Sequence, residues 1–169
     1  TLEPYHRGLE DVLSVLGKLP FVEFHVGGAG SLEPMVRQSQ EQGANLVFHG
    51  AMDHRDGMQL MANCDIMLGL YYDSVPNHRW AAPNKYFEHL MLGIPLLTSI
   101  HTPPGAKVSS NETGWAVPDG AAPIGEALIA AFENPVERKK RGTNARNIWE
   151  KLYANYHDEA IGTNYVERV

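Results

Sequence analysis

The stretch from Ala82 to Thr98 reads APNKYFEHLMLGIPLLT and predicts a short helix followed directly by a strand. Proline fits the first helical turn because the N–H group that it lacks would be unpaired there, and a glycine followed closely by a proline ends a helix. The helix is therefore expected from Pro83 to about Leu92.

The start of this helix is a predicted anion site. A first helical turn carries unpaired N–H groups and a partial positive charge, which suit an anion such as a pyrophosphate. Lys85 would add a full positive charge at the same place. Glu88 lies about one turn further along and is expected to be free to accept hydrogen bonds from hydroxyl groups. Together these groups suggest a nucleotide sugar as the ligand.

Composition and length describe a single globular domain. The 169 residues are 43% hydrophobic and 20% charged, which is ordinary for a soluble protein. The net charge of -6 argues against a nucleic acid partner, because a phosphate backbone requires a basic surface. The sequence has a single cysteine, Cys64, which is expected to be a buried thiol, and it has no apolar run of the roughly 20 residues that span a bilayer. We therefore expect a cytoplasmic protein, and the missing initial Met suggests a piece of a longer chain.

Segments with strand-like and helix-like patterns alternate along the chain. The predicted strands are Phe21–Val26, Leu46–Gly50, Asp65–Leu70, Leu96–Ser99 and Gly114–Pro118. This alternation predicts an α/β fold, a Rossmann-like three-layer domain in which helices flank both faces of a parallel sheet. Ligands in such folds bind beyond the carboxyl ends of the strands. The loops at 27–30, 50–53, 71–83 and 98–106 are therefore the candidate site.

The helices between these strands are predicted from apolar spacing and from capping residues. They are expected at Gly8–Leu19, at Leu32–Gln42 after a Ser31 cap, from an Asp53 cap to about Asn63, at Ile124–Phe132, and from an Asn134 cap to about Tyr156. The residues from 101 to about 108 are predicted to be a loop and a short turn, and the basic run from Glu137 to Arg141 is predicted to be a solvated helix face.

The glycines at 27–30 leave two interpretations open. They follow a strand, as in a dinucleotide-binding turn, but Glu33 stands where the third glycine of that motif belongs. They form either a tight turn into a helix or a place where the backbone approaches a nucleotide. His25 and His49 near the strand ends are likewise either pocket residues or ordinary polar residues, and the spacing of the eight histidines predicts no metal site.

The ordered set of these motifs resembles the C-terminal, donor-binding half of a GT-B fold retaining glycosyltransferase of the group 1, family 4 type. The most specific piece is the stretch from Pro83 to Glu88. The other pieces that carry the resemblance are Arg7–Leu9, Val26–Gly30, Val47–Gly50, Cys64–Leu68, Gly93–Thr98 and Gly114–Val117.

This resemblance implies roles for individual residues. The implied catalytic residues are Arg7 and Lys85, and the implied donor-binding residues are Gly27, Gly28, Gly30, Ala51, Met52, Pro83, Asn84, Tyr86 and Glu88. The start of the helix and Arg7 would bind the donor diphosphate, Glu88 would bind the ribose hydroxyls, and the loop containing Met52 would lie against the base. The resemblance implies no metal ion and no other cofactor.

The implied activity is transfer of a sugar, with retention, from a nucleotide diphosphate sugar to an acceptor in cell-surface polysaccharide or glycoconjugate synthesis. An N-terminal acceptor-binding half would be the partner of residues 1–169, and the last helices, 135–169, would pack back toward it. The isolated domain is then expected to be inactive, and the full-length enzyme to associate with the inner face of the membrane.

Two departures from the family pattern leave the donor sugar open. Trp80 stands where the family has the first glutamate of a pair, and a second basic residue shortly before Arg7 is missing. A nucleotide-sugar epimerase of the same fold and a non-catalytic nucleotide-binding module remain as alternatives.

Overall fold

The computed structural model describes residues 2–4, 7–80 and 82–154, in which helices and strands alternate. The elements are α1 (Leu9–Leu16), β1 (Phe24–Val26), α2 (Glu33–Glu41), β2 (Leu46–Phe48), α3 (His54–Ala62), β3 (Met67–Gly69), a 3-10 turn (Pro76–Trp80), α4 (Asn84–Leu92), β4 (Leu96–Ser99), α5 (Pro103–Ser110), β5 (Gly114–Val117), α6 (Ala121–Glu133) and α7 (Pro135–Leu152). All five predicted strands are present, and four of them are shorter than predicted.

Every strand pair is parallel. β1 pairs with β2, with Phe24 opposite Leu46, and β3, β4 and β5 form a second ladder in that order, with Leu96 opposite Gly114. The predicted α/β class with a parallel sheet is confirmed. The five strands form two separate sheets, however, because β1 and β3 are not paired with each other.

Helices cover both faces of the three-stranded sheet. Successive residues of a strand point to opposite faces, and Leu96 and Leu97 of β4 lie in two different apolar clusters. Leu97 lies in the cluster of Val12 from α1 and Ile124 from α6, whereas Leu96 lies in the cluster of Leu90 from α4. The three-layer arrangement follows from this alternation.

The last described helix, α7, packs against the end of α4. Gly142 lies so close to the Gly93 carbonyl that a Cβ there would be 2.5 Å from the oxygen, and Arg146 Nη1 donates a 2.6 Å hydrogen bond to the Met91 carbonyl. The described part of the predicted 135–169 segment thus packs on this domain, and residues 155–169 lie outside the described residues. In the described part of the chain, none of the helices has the length and apolar character to cross a bilayer.

The prediction of a loop after β4 was wrong, since this segment is the helix α5. Thr102 caps it, because its Oγ1 accepts a hydrogen bond from the Gly105 N–H at 3.1 Å. Pro103 and Pro104 fill the first turn, where a helix tolerates proline. Two consecutive prolines are typical of a loop as well as of a helix start, and the capping threonine is what decides between them here.

Two of the three predicted caps are confirmed. The side chains of Asp53 and Asn134 accept hydrogen bonds from the N–H groups three residues later. Ser31 is not a cap, because its hydroxyl donates to Glu3 Oε2 at 2.9 Å and α2 begins only at Glu33.

The prediction that residues 137–141 form a solvated helix face holds for Lys139 and Lys140, which are exposed, but not for Arg141. The side chain of Arg141 is only 20% exposed. Its Nη1 donates to the Gly114 carbonyl, and its guanidinium lies 4.9 Å from the Trp115 ring centroid. An arginine in this run therefore ties α7 to the start of β5.

The contact between α7 and α4 predicts opposite effects for two helical glycines. Gly142→Ala should lower the free energy of unfolding by about 1–3 kcal/mol, because the new methyl group meets a backbone carbonyl that cannot easily move. Gly57→Ala in α3 is the matched control, because its Cβ would meet nothing within 4 Å and alanine favours a helix by up to about 1 kcal/mol. Urea denaturation measures both. Equal stability of the two variants would contradict this account of the packing.

Candidate functional site

A cavity of about 960 Å³ lies between β1 and β3 and extends past their carboxyl ends. Its lining includes side chains from α1, α3 and α4 and from the loops that follow both strands. Six of the predicted site residues line it, namely Arg7, Gly27, Gly28, Met52, Lys85 and Glu88. The structure therefore brings together residues that are far apart in the sequence.

The start of α4 meets this cavity through Lys85. Pro83 is the residue before the helix, with an extended backbone, and so lies one position earlier than predicted. No side chain caps this helix start. Uncapped N–H groups at a helix start attract anions, so the structure retains the local feature on which the prediction of an anion site rests.

Lys85 and Glu88 lie on the same face of α4, with Nζ and Oε2 3.6 Å apart. The second contact of the ammonium is the Met61 sulfur at 3.4 Å, which is a weak acceptor. Glu88 therefore has a cation as its partner, because residues three apart on a helix face each other, and its role as an acceptor for hydroxyl groups stays a prediction. The Glu88 side chain is 13% exposed and that of Lys85 is 40% exposed, so the lysine is the more accessible partner.

Arg7 lies against Tyr71, a residue that the sequence analysis did not single out. The guanidinium carbon is 4.7 Å from the centroid of the Tyr71 ring, which is a cation–π distance. Burial raises the pKa of the Tyr71 hydroxyl; the nearby Arg7 charge opposes this and the Glu88 charge adds to it. Arg7 and Glu88 are thus both close to one buried phenol. The only sequence signal for Tyr71 is its position directly after a strand.

Glycosyltransferases are among the solved structures that share this arrangement of elements. Sucrose-phosphate synthase from Thermosynechococcus elongatus matches 96% of this chain and 42% of its own, with a TM-score of 0.73 and 19% identity. Anabaena HepE in complex with UDP matches 99% of this chain and 47% of its own, with a TM-score of 0.73 and 15% identity. The C-terminal domain of the group 1 glycosyltransferase LpcC from Francisella tularensis matches 85% of this chain and 76% of its own, with a TM-score of 0.63 and 15% identity.

The fold is that of one half of a GT-B glycosyltransferase. The resemblance predicted from the sequence is confirmed at the level of the fold. No protein-family model and no curated protein matches the sequence. The chain spans less than half the length of the first solved structures that it matches.

The glycine loop of this GT-B half is shaped largely by its own packing. A Cβ on Gly27 would be 2.5 Å from the Met52 sulfur, and the Gly28 N–H donates to the Gly50 carbonyl at 2.7 Å. Gly30, with φ of 155°, has no room for a side chain because the Leu2 carbonyl lies 2.5 Å from its Cβ position. The tight-turn interpretation therefore accounts for Gly30, whereas Gly27 and Gly28 also line the cavity.

Four other predicted residues do not line the cavity: Gly30, Ala51, Asn84 and Pro83. Tyr86 does not line it either and is 4% exposed within the apolar cluster of α4 and α7. Burial raises the pKa of Tyr86 to about 12, with Tyr153 as the second cause. The side chain of Tyr86 therefore belongs to the core, and its packing stabilises the start of α4.

The histidines and carboxylates of the described residues form no group of three or more that would hold a metal ion. His25 Nδ1 and His49 Nε2 lie 3.0 Å apart, and the second nitrogen of His25 contacts Glu23 at 2.8 Å. Of the two, His25 lines the cavity. His25 therefore belongs to the cavity wall and is at the same time a hydrogen-bonded polar residue.

His89 on α4 is buried and neutral. Its Nδ1–H donates to the Ile94 carbonyl at 3.0 Å, while Nε2 is buried without a partner. Burial lowers the pKa of His89 to about 4, although the hydrogen bond to Ile94 opposes this. Protonation of this side chain therefore favours the unfolded chain.

This histidine predicts a pH-dependent stability. Because the folded pKa lies below the unfolded value of about 6.5, the contribution is fully present above pH 6.5 and is lost as the pH falls toward 4. The loss amounts to roughly 3 kcal/mol over that range. His89→Asn keeps a donor near the Nδ1 position and does not titrate, so its unfolding free energy should fall less with pH. Urea titrations at several pH values test this, and parallel curves for the two proteins would contradict it.

Proposed function

We propose that this chain is the donor-binding half of a retaining glycosyltransferase and that its cavity binds a nucleotide diphosphate sugar. The observation that carries the proposal is the common location of two cations and a carboxylate, since Arg7, Lys85 and Glu88 line one cavity, and Lys85 belongs to an uncapped helix start. Two similar structures, HepE and Staphylococcus aureus TarM, were solved in complex with UDP, which supports this ligand class.

In this proposal each part of the ligand has its own partners. The diphosphate binds at the start of α4, between Lys85 and Arg7. The ribose hydroxyls donate to Glu88, and the base lies against the loop that contains Ala51 and Met52. Glu88 is paired with Lys85 in the structure, so the lysine turns to the diphosphate and the carboxylate to the ribose when the ligand binds.

The proposed reaction is glycosyl transfer with retention at the anomeric carbon. The bond from the anomeric carbon to the diphosphate oxygen breaks, both electrons leave with the nucleoside diphosphate, and the oxygen of an acceptor hydroxyl forms the new bond while its proton passes to the departing diphosphate. Positive charge and N–H donors aimed at the leaving group lower the barrier, and removing one such donor typically costs about 3–4 kcal/mol. Arg7, Lys85 and the start of α4 would supply this charge without a metal ion. The acceptor belongs to cell-surface polysaccharide or glycoconjugate synthesis, as the lipopolysaccharide role of the similar enzyme WaaG suggests.

The first test distinguishes the residue that binds the diphosphate from the residue that binds the ribose. Lys85→Ala should weaken binding of both UDP and inorganic pyrophosphate roughly tenfold or more, because a charge-assisted hydrogen bond is lost. Glu88→Ala should weaken UDP binding but leave pyrophosphate binding equal or tighter, because Lys85 loses its competing partner. Calorimetric titration measures all four affinities.

Two exposed residues outside the cavity provide the matched controls. Lys139→Ala and Glu126→Ala remove the same charges from α7 and α6 and should change neither affinity. Should Lys85→Ala behave like Lys139→Ala, the diphosphate position is wrong. Should Glu88→Ala leave UDP binding unchanged, the ribose position is wrong.

A second prediction concerns turnover. The 169-residue chain should bind a nucleoside diphosphate but release no sugar from a nucleotide sugar to any acceptor, because the proposed acceptor-binding half is not part of it. A coupled assay for released nucleoside diphosphate, run with UDP-glucose and a panel of glycan acceptors, measures this. Multiple turnovers by the isolated chain would contradict the proposal that transfer requires a separate acceptor-binding half.

A further inference from the structure

Tyr72 lies just after β3, and its hydroxyl joins three segments of the chain. The hydroxyl donates a hydrogen bond to Asp11 Oδ2 in the first turn of α1 and accepts one of 3.3 Å from the N–H of Gly120, the residue before α6. Burial raises the pKa of this hydroxyl and the bond to Asp11 adds to the effect, so the phenol stays protonated and remains a donor. Neither Tyr72 nor Asp11 lines the cavity. The hydroxyl therefore ties α1 and α6 to the end of β3 beside the cavity and not inside it.

The backbone of Gly8 packs directly on the ring of Tyr72. A Cβ on Gly8 would lie 2.7 Å from the Tyr72 hydroxyl oxygen and 2.8 Å from Leu70 Cδ1. Gly8 has a φ of 63°, in the left-handed region that favours glycine, so the chain turns here just before α1. Arg7 is the residue that precedes this turn. The position of the Tyr72 ring therefore limits where the backbone of Arg7 can lie.

The preceding residue, Tyr71, contacts the side chain of Arg7. The guanidinium carbon lies 4.7 Å from the centroid of the Tyr71 ring. Tyr71 is itself fixed, because it is 5% exposed and its N–H donates a 2.9 Å hydrogen bond to Ser99 Oγ. Two consecutive tyrosines thus contact two consecutive residues, since Tyr71 contacts the Arg7 side chain and Tyr72 contacts the Gly8 backbone.

We propose that Tyr72 is a positioning residue for Arg7, an inference that rests on the proposed function. Asp11 and Gly120 hold the Tyr72 ring, the ring fixes the turn at Gly8, and this turn keeps the Arg7 guanidinium in the cavity wall. A long arginine side chain loses conformational entropy when it binds an anion, and a guanidinium that is already held near its bound position loses less. Tyr72 therefore raises the affinity for the diphosphate without contacting it.

The test begins with Tyr72→Phe, which removes the hydroxyl and keeps the ring. Loss of the bonds to Asp11 and Gly120 should weaken binding of both UDP and inorganic pyrophosphate by about three- to tenfold, as expected for coupled neighbours. Calorimetric titration measures both affinities. Urea denaturation of the same variant confirms that it is folded under the conditions of the titration.

A double-mutant cycle distinguishes positioning from a general loss of stability. Arg7→Ala alone should weaken pyrophosphate binding, and adding Tyr72→Phe should then change the affinity by less than about twofold, because the positioned group is gone. In the Lys85→Ala background the same substitution should keep its full effect, since Lys85 is held by contacts on α3 and α4. Asn134→Ala, which removes the cap of α7, is the control for lost stability and should change no affinity.

Two substitutions of Asp11 test the same network from its other end. Asp11→Asn keeps an oxygen that can accept the hydrogen bond of the Tyr72 hydroxyl, so it should retain most of the pyrophosphate affinity. Asp11→Ala removes this acceptor and should behave like Tyr72→Phe. These variants also decide the question if Tyr72→Phe does not fold, because they leave the ring against Gly8 unchanged.

The outcomes distinguish the two proposals. If the wild-type chain binds neither a nucleoside diphosphate nor pyrophosphate, the proposed function fails and this inference fails with it. If the wild type binds and Tyr72→Phe binds equally well, only the positioning role is wrong. An equal loss in the wild-type and Arg7→Ala backgrounds would also overturn it, because additive effects would show that Tyr72 acts independently of Arg7.

Discussion

The packing at the end of α4 decides where its start lies. The Gly93 turn, with φ of 68°, fits against Gly142 of α7, and the His89–Ile94 hydrogen bond closes the same turn from inside. A nine-residue helix is a rigid rod about 14 Å long, so fixing one end and its buried face fixes the other end. Lys85 is therefore presented to the cavity by contacts made at the far end of the helix, and the site depends on the core.

The features that the sequence predicted are those with local causes. The helix α4 is bounded by Pro83 and Gly93, whose backbone restrictions act whatever surrounds them. The Asp53 cap needs only a side chain that reaches an N–H group three residues away. The parallel strand order follows from the alternation of helices and strands, because a crossover helix returns the chain in the same direction. The fold class and the uncapped helix start are consequences of such local patterns.

The features that the sequence missed depend on contacts between distant segments. Tyr71 matters because α1 brings Arg7 onto its ring, and Arg141 is partly buried because α7 lies against β5. The pairing of Lys85 with Glu88 follows from helix geometry alone, but the family resemblance implies separate parts of the ligand for the two residues, so their contact was not predicted. The division of the sheet between β1 and β3 has no sequence signal, since both strands are apolar and short.

On the proposed function, the Lys85–Glu88 pair also explains how a protein with a net charge of -6 would bind an anion. A partly exposed ion pair at 3.6 Å contributes little, about 0–1 kcal/mol, so it positions the lysine without competing strongly against a phosphate. When the lysine turns to a diphosphate, the less exposed carboxylate loses its partner, which is costly unless new donors arrive. Ribose hydroxyls are such donors. On the proposed function, the diphosphate takes Lys85 away from Glu88, and the ribose hydroxyls then give Glu88 new donors. A ligand that carries both groups leaves neither residue unpaired, so the site favours the whole nucleotide over either part.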